Sequence, residues 1–193
     1  MAAFQNDRFR TRELTAENER LTKLLGLKQS APPQLKKNIF CRVIARSSLA
    51  WDRVLWIDKG RTDGVHPGML VLSDLAVLGK VSEAGSSVAR ILLIDDPGFR
   101  LGVLLQRTRE QGVLYGLSSR GDDATCRVKY LSPEAQIHPG DLVETAGFGA
   151  FAPKGLEVGT VKKSFRIPGH IYQTAEIEPT ADLNRAEEVM VVE

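Results

Sequence analysis

The sequence predicts an all-β protein with an N-terminal α-helix, in which two small β-barrels follow one another along the chain. Two observations favour this fold class. From Ile39 onward, short runs of Val, Ile, Leu and aromatic residues are interrupted by Gly, Asp, Asn or Pro about every 8–12 residues, a spacing typical of sandwiches and barrels. In addition, "GVHPGMLV" at 64–71 and "QIHPGDLV" at 136–143 repeat one turn motif, which indicates an internal duplication.

Residues 1–28 are predicted to form a helix that pairs with a second copy as a coiled coil. The stretch "TRELTAENERLTKLLGLK" is rich in Leu, Glu, Arg and Lys, and it contains no Pro. A heptad assignment places leucines at the d positions and an Asn followed by Leu at the a positions, and an Asn at a favours a dimer of fixed register. The predicted dimerisation residues are Leu14, Asn18, Leu21 and Leu25. A single amphipathic helix packed on its own domain is the alternative.

The remaining boundaries follow from breaker residues and from self-alignment. Residues 29–38, "QSAPPQLKKN", contain two prolines and are predicted to form a linker. With an offset of 72, residues 39–68 align with residues 111–140 without a gap, strand over strand and turn over turn. We therefore predict a first barrel at 39–107 and a second at 108–193.

The repeated His-Pro-Gly sequence is predicted to mark a turn. A pair of histidines could indicate a metal site, but Pro fixes φ at a turn and Gly adopts the backbone geometry that follows. His66 and His138 precede such turns in two separate modules, so no metal ion and no cofactor is expected. Cys41 and Cys126 could form one disulfide, although two buried thiols are the favoured interpretation.

Charge and hydropathy exclude two classes of protein. The net charge is +2, and residues 39–193 carry 18 basic and 20 acidic side chains, so we expect no nucleic-acid partner, which would require a basic face. No apolar stretch approaches the roughly 20 residues that span a bilayer, and the N-terminus has no signal peptide. The chain as given is expected to be soluble, and it could be cut from a membrane-anchored protein.

Seven segments, in this order and spacing, resemble the MreC family of bacterial rod shape-determining proteins. They are "ENERLTKLLGL" (17–27), "IDKGRTDGVHPGMLV" (57–71), "LGKVSEAG" (78–85), "RILLIDDPGFRLGVLLQRTREQGVLYG" (90–116), "GDLVETAG" (140–147), "APKGLEVGTVKK" (152–163) and "ADLNRAEEVMVV" (181–192). The resemblance implies a membrane helix, which this sequence lacks, then a dimerising coiled coil and two six-stranded barrels similar to those of trypsin-like proteases. It also implies a periplasmic domain of a protein anchored in the inner membrane.

The resemblance implies protein partners. These are the class B penicillin-binding protein transpeptidase of the cell-wall elongation machinery, the other membrane and cytoskeletal proteins of the rod complex, and further copies of the chain in a dimer or filament. The membrane itself would be reached only through an anchor absent from this sequence.

A protease-like barrel pair raises the question of a Ser-His-Asp triad between its halves. The candidates are three histidines, four serines and two adjacent acids: His66, His138, His170, Ser86, Ser87, Ser118, Ser119, Asp95 and Asp96. No Gly-x-Ser-x-Gly or Gly-Asp-Ser-Gly sequence occurs. We therefore predict a non-enzymatic scaffold. The alternatives are a degenerate protease-like barrel that acts as a peptidoglycan-binding or hydrolytic module and, less favoured by these segments, a membrane-fusion-type adaptor.

The loop "GFGAFAPKG" at 147–155 is the predicted partner contact. It is an insertion in the second copy, and it holds two phenylalanines with a single charge. The phenylalanines could pack into the mouth of the barrel, or they could form an exposed apolar contact on a rigid support. The predicted partner-binding residues are Phe148, Phe151 and Lys154. The segment "RIPGHIY" at 166–172 could similarly be a hairpin tip that offers Ile171 and Tyr172.

Overall fold

The computed structural model describes residue 35 and the ranges 38–47, 53–117, 126–148 and 152–193. These residues contain twelve β-strands, one short 3-10 helix and no α-helix, which confirms the all-β class of this part of the chain. No helix within these ranges is long and apolar enough to cross a membrane. The predicted helix at 1–28 and most of the predicted linker at 29–38 lie outside the described residues.

The strands are four to ten residues long. They are β1 (Asn38–Arg46), β2 (Val54–Ile57), β3 (Leu70–Ser73), β4 (Ala76–Ala84), β5 (Ala89–Leu93), β6 (Arg100–Leu105), β7 (Gln111–Gly116), β8 (Cys126–Leu131), β9 (Leu142–Thr145), β10 (Glu157–Arg166), β11 (Gln173–Pro179) and β12 (Glu188–Val192). The 3-10 helix, Arg61–Asp63, lies between β2 and β3.

Hydrogen-bond pairing closes these strands into two rings. The first ring runs β1-β2-β5-β4-β3-β12 and back to β1, and every pairing in it is antiparallel. The second ring runs β6-β7-β8-β11-β10-β9 and back to β6, again with antiparallel pairings throughout. A parallel contact between β10 and β4, at Glu157 and Ala76, joins the rings.

The rings do not follow the predicted division of the chain at residue 107. Strand β6 comes before that boundary, yet it pairs with β7 and β9 of the second ring. Strand β12 comes at the end of the chain, yet it pairs with β1 and β3 of the first ring. The self-alignment could not detect this exchange, because strand pairing joins segments that are distant in sequence.

Residues 94–99, here called the crossing segment, carry the chain from the first ring to the second. The Ile94 N–H donates to the Leu78 carbonyl of β4 (3.0 Å), and the Cys126 thiol of β8 donates to the Ile94 carbonyl (3.4 Å). Phe99 is fully buried, and Asp95 is 3% exposed. The crossing segment is therefore fixed against strands of both rings.

The two His-Pro-Gly turns have the same geometry, which confirms the repeat. In the first, the Met69 N–H donates to the His66 carbonyl (3.3 Å), and in the second the Asp141 N–H donates to the His138 carbonyl (3.1 Å). The glycines have φ of 93° and 88°, as a turn with Pro followed by Gly requires. Each glycine N–H also donates to a valine carbonyl in the second strand after the turn: Gly68 to Val81 of β4 (2.9 Å), and Gly140 to Val161 of β10 (2.8 Å).

Substitution of the second turn glycine tests this geometry. Gly140→Ala is expected to lower the free energy of unfolding by about 1 kcal/mol, because a side chain disfavours positive φ although nothing lies within 4 Å of the added Cβ. Gly140→Asn should lower the free energy of unfolding by less than half as much as Gly140→Ala, since Asn tolerates positive φ. Urea unfolding of both variants checks the prediction, and equal losses would contradict the backbone explanation.

The interior is apolar, and Cys41 and Cys126 are buried in it without a disulfide between them. The favoured interpretation of these residues is confirmed, and the disulfide is excluded. Burial raises the pKa of the Cys41 thiol to about 12, so this side chain stays protonated at neutral pH and packs as a small hydrophobe.

Candidate binding surface

Phe148 is exposed and is supported by a rigid strand. The loop from β9 to β10 places its ring against Gly102 of β6, where an added Cβ would lie 3.0 Å from the ring atom Cδ2. Strand β6 is paired on both edges, and Phe148 keeps 57% of its surface exposed. The phenyl group of Phe148 therefore lies on the outer face of the second ring of strands and does not enter its interior.

The base of the same loop is fixed by a buried threonine. The Thr145 hydroxyl donates to the Pro153 carbonyl (2.5 Å) and accepts a hydrogen bond from the Leu156 N–H (3.0 Å). Lys154 is exposed, and its Cβ would be 2.9 Å from a Cβ added at Gly147. Phe148 and Lys154 thus flank one anchored loop, whereas Phe151 lies outside the described residues.

The four predicted dimerisation residues, Leu14, Asn18, Leu21 and Leu25, also lie outside the described part of the chain. Their role stays a prediction.

Three tyrosines form a row on the second ring that the sequence alone did not reveal. The rings of Tyr115 on β7, Tyr130 on β8 and Tyr172 before β11 meet edge to face, with centroids 6.3 and 5.9 Å apart. This arrangement is favourable for aromatic pairs. Tyr130 and Tyr172 are 54% and 43% exposed, and Ile171 beside them is 71% exposed. We call Tyr115, Tyr130 and Tyr172 the tyrosine row.

A β-bulge turns Tyr130 onto this face. The register of β8 against β11 shifts between the pairs Gln173–Leu131 and Ala175–Val128, and Tyr130 has φ of 68°. A bulge leaves one residue unpaired and redirects its side chain, and a non-glycine residue at positive φ is often a functional position. The only sequence signal was Tyr172 at the predicted hairpin tip.

Cations surround the first tyrosine of the row. The Arg100 guanidinium carbon lies 4.1 Å from the centroid of the Tyr115 ring, and the Lys129 Nζ lies 4.7 Å from it. Lys80 of β4 lies 5.1 Å from the centroid of Phe99, and its Nζ donates to the Arg100 carbonyl (3.3 Å). Such cation–π contacts stabilise each charge by about 0.5–1 kcal/mol at exposed sites. We call Lys80, Arg100 and Lys129 the cation cluster.

Two neighbouring cations on the same ring of strands share one carboxylate. Glu176 of β11 accepts from Arg127 (2.9 Å) and pairs with Lys163 (3.0 Å). Burial acts to raise the pKa of Glu176, but the hydrogen bonds from these two cations outweigh it and lower that pKa below its usual range. This carboxylate is therefore ionised at neutral pH.

His66 and His138 lie in the two His-Pro-Gly turns, and an arginine contacts the second of them. The His138 Nδ1 lies 2.7 Å from the Arg107 guanidinium, which also holds both Asp141 oxygens at 2.7 Å, and the pKa of Asp141 is lowered mainly by these hydrogen bonds. Across the described ranges, no three His, Cys, Asp or Glu side chains are grouped as metal ligands would be. Two of the candidate serines, Ser118 and Ser119, lie outside the described residues.

The described residues define a class of protein: an all-β protein built from closed rings of antiparallel strands, with exposed aromatic and cationic side chains on the second ring. Comparison with known families agrees. The family described as "Rod shape-determining protein MreC, barrel core" matches residues 43–193, and the chain belongs to the MreC family. The resemblance inferred from the sequence is confirmed.

Curated relatives support this assignment. The chain is 30% identical over 183 residues to the cell shape-determining protein MreC of Listeria monocytogenes, covering 93% of this chain and 61% of the relative. It is 30% identical over 169 residues to the Escherichia coli MreC, covering 88% of this chain and 44% of the relative. The MreC of Streptococcus pneumoniae is 27% identical over 180 residues, with 91% and 65% covered. The chain thus spans about half to two thirds of these relatives.

Solved structures share the fold. A structure of MreC matches with a TM-score of 0.79 and 29% identity, covering 93% of this chain and 99% of that one. MreC from Pseudomonas aeruginosa matches with a TM-score of 0.71 and 29% identity, covering 82% and 100%. A complex between Penicillin-Binding Protein (PBP2) and MreC from Helicobacter pylori gives a TM-score of 0.63 at 17% identity, covering 81% and 99%, a likeness of fold alone.

Proposed function

We propose that this chain is a non-enzymatic periplasmic scaffold of the rod-shape complex, which binds the class B penicillin-binding protein transpeptidase through the outer face of the second ring. The observation that carries the proposal is the position of Phe148, whose side chain is 57% exposed and packs against β6, a strand paired along both edges. Exposed aromatic residues on rigid supports are the usual anchors of protein interfaces. The H. pylori MreC in complex with PBP2 shows that a protein of this fold takes such a partner.

The remaining architecture follows from the family. In this proposal each ring is a small barrel of the trypsin-like type, and the helix at 1–28 pairs two copies through Leu14, Asn18, Leu21 and Leu25. Sequence upstream of the helix anchors the protein in the inner membrane. The other membrane and cytoskeletal proteins of the rod complex, and further copies of the chain in filaments, are additional partners. One structure of similar fold is of a "major periplasmic domain from the cell shape-determining filament MreC".

A scaffold can activate an enzyme without chemistry of its own. If the transpeptidase exchanges between inactive and active conformations, a protein that binds the active one more tightly increases its population. The gain is limited by the ratio of the two affinities. A rigid surface suits this task, because little conformational entropy is lost when it binds.

Titration of this chain with the periplasmic part of the transpeptidase tests the proposal. Phe148→Ala is expected to weaken binding by about tenfold, because the ring is a central apolar contact. Phe148→Ala/Phe151→Ala should weaken it further. Calorimetry gives the affinities, and thermal unfolding shows that the variants are folded.

Ile44→Ala is the matched control, since Ile44 is 51% exposed but lies on β1 of the first ring. Its affinity should stay within twofold of the original. Unchanged affinity of both phenylalanine variants would place the partner elsewhere, and absence of binding by the unmodified chain would reject the proposed partner.

A further inference from the structure

The cation cluster contains residues from both rings of strands. Lys80 comes from β4 of the first ring, while Arg100 and Lys129 come from β6 and β8 of the second. Arg100 is exposed, and the two lysines are half-buried. Arg100 and Lys129 both contact the ring of Tyr115, at 4.1 and 4.7 Å from its centroid, so their charged groups are at most about 9 Å apart.

Within the part of the chain that the structure describes, these three charges have no acidic partner. None of the ion pairs formed by the described residues includes Lys80, Arg100 or Lys129. The contrast with Arg127, whose charge is balanced by Glu176 on the same ring, is direct. The pKa of Lys80 is lowered, first by burial and then by the like charge of Arg100, as expected where positive potential is uncompensated.

The two cations that contact Tyr115 differ in the donors that they offer. The Arg100 NH1 donates to the Pro97 and Phe99 carbonyls (2.6 Å each), and the guanidinium lies over the Tyr115 ring. The Lys129 ammonium carries three donors, and among the described residues it contacts the Tyr115 ring. A carboxylate at Lys129 would gain a charge-assisted hydrogen bond, which is about twice as strong as a neutral one.

The tyrosine row extends from this cluster as an apolar surface. Its three ring centroids span at most about 12 Å, which corresponds to about three or four residues of an extended chain. The row ends beside Ile171, the most exposed of the large apolar side chains described. The surface is thus cationic at one end and apolar at the other.

We infer that this surface binds an extended acidic segment of a partner protein, with a carboxylate at Lys129 and an aromatic or aliphatic side chain on Tyr130, Tyr172 and Ile171. The inference rests on the proposed partner-binding role and adds the chemistry that the partner must present. Charge complementarity selects this occupant, because an apolar segment alone would leave two neighbouring cations desolvated and unpaired.

A pair of blocked peptides tests the inference without the transpeptidase. The probes are Asp-Ala-Gly-Trp-Leu and the same peptide with Asn in place of Asp, titrated into the full chain while backbone amide chemical shifts are recorded. We expect the Asp peptide to shift amides at 113–115 and 127–130, and to bind at least fivefold more tightly than the Asn peptide. Raising the salt concentration from about 0.05 to 0.5 M should reduce that difference, because screening weakens exposed charge contacts.

Charge reversal supplies the control. Lys129→Glu should abolish the preference for the Asp peptide and weaken binding of the transpeptidase by about tenfold. Lys129→Arg should keep both the peptide preference and the affinity for the transpeptidase. Arg185→Glu, an exposed reversal in the connection from β11 to β12, should change neither. Thermal unfolding confirms that each variant is folded.

The outcomes separate the inference from the proposed function. Equal binding of the two peptides, or no shift at millimolar peptide, would overturn the inference, as would a Lys129→Glu variant that binds the transpeptidase like the original chain. If the transpeptidase does not bind but the Asp peptide behaves as expected, the surface is confirmed and the proposed partner is wrong.

Discussion

Gly116→Ala is expected to lower the free energy of unfolding by about 3 kcal/mol. Gly116 ends β7, and the crossing segment passes directly over it. An added Cβ would lie 2.1 Å from the Asp96 carbonyl oxygen and 2.5 Å from the Asp95 carbonyl carbon. These are backbone atoms of a buried segment, so relief requires the rings to move apart locally. Urea unfolding at neutral pH measures the loss.

Gly98→Ala is the matched control in the same segment. Its added Cβ would come closest to the Asp96 Oδ1, at 3.0 Å, and this side-chain atom, which accepts a hydrogen bond from the Gly98 N–H (2.7 Å), needs to shift by only a few tenths of an ångström. The expected loss is below about 1 kcal/mol. Similar losses at the two positions would show that the crossing segment is not tightly packed against β7.

Arg53→Met is expected to lower the free energy of unfolding at pH 7 by about 2–3 kcal/mol. The Arg53 Nε donates to the Asp95 Oδ2 (2.6 Å), and the carboxylate side chain is 5% exposed. Its second oxygen, Oδ1, is buried without a hydrogen-bond partner. Removal of the arginine therefore leaves a buried carboxylate with neither charge nor hydrogen-bond compensation. The partial exposure of Arg53, 27%, places the loss below that of a fully buried pair.

The loss should depend on pH. The pKa of Asp95 is raised, mainly by burial, although the charge and hydrogen bond of Arg53 act to lower it. A carboxyl group with a raised pKa in the folded state binds protons more readily there than in the unfolded chain, so stability falls as pH rises through that pKa. Without Arg53 the pKa rises further. The deficit of the variant relative to the original chain should therefore shrink as pH falls from about 7 to 5.

Denaturant unfolding at the two pH values, with Arg185→Met as the exposed control, checks this prediction. The control should stay within about 0.5 kcal/mol of the original chain at both. If the loss of unfolding free energy caused by Arg53→Met is the same at pH 5 and pH 7, protonation of Asp95 does not control that loss, and the prediction is wrong.

The local features of this protein were predictable from its sequence. The His-Pro-Gly turns formed as expected, because Pro and Gly restrict the backbone within four residues. The strand content followed from the alternation of apolar runs and turn residues, and Val81 and Val161 accept the equivalent hydrogen bonds from the two turn glycines. For Phe148, composition left a buried and an exposed position open, and the absence of a side chain at Gly102, against which the phenyl group packs, favours the exposed one.

The tertiary structure decided which distant segments meet. Strand β6 lies before the predicted boundary at residue 107 but belongs to the second ring, and β12 lies at the end of the chain but belongs to the first ring. Apolar patterning cannot specify this exchange, because the composition of a buried strand suits either ring equally well. The cation cluster comes from three strands, β4, β6 and β8, and the tyrosine row depends on a bulge at Tyr130. Periodicity assigns a residue to a face of its own strand, whereas a surface of this kind exists only after strand pairing has set the neighbours of each face.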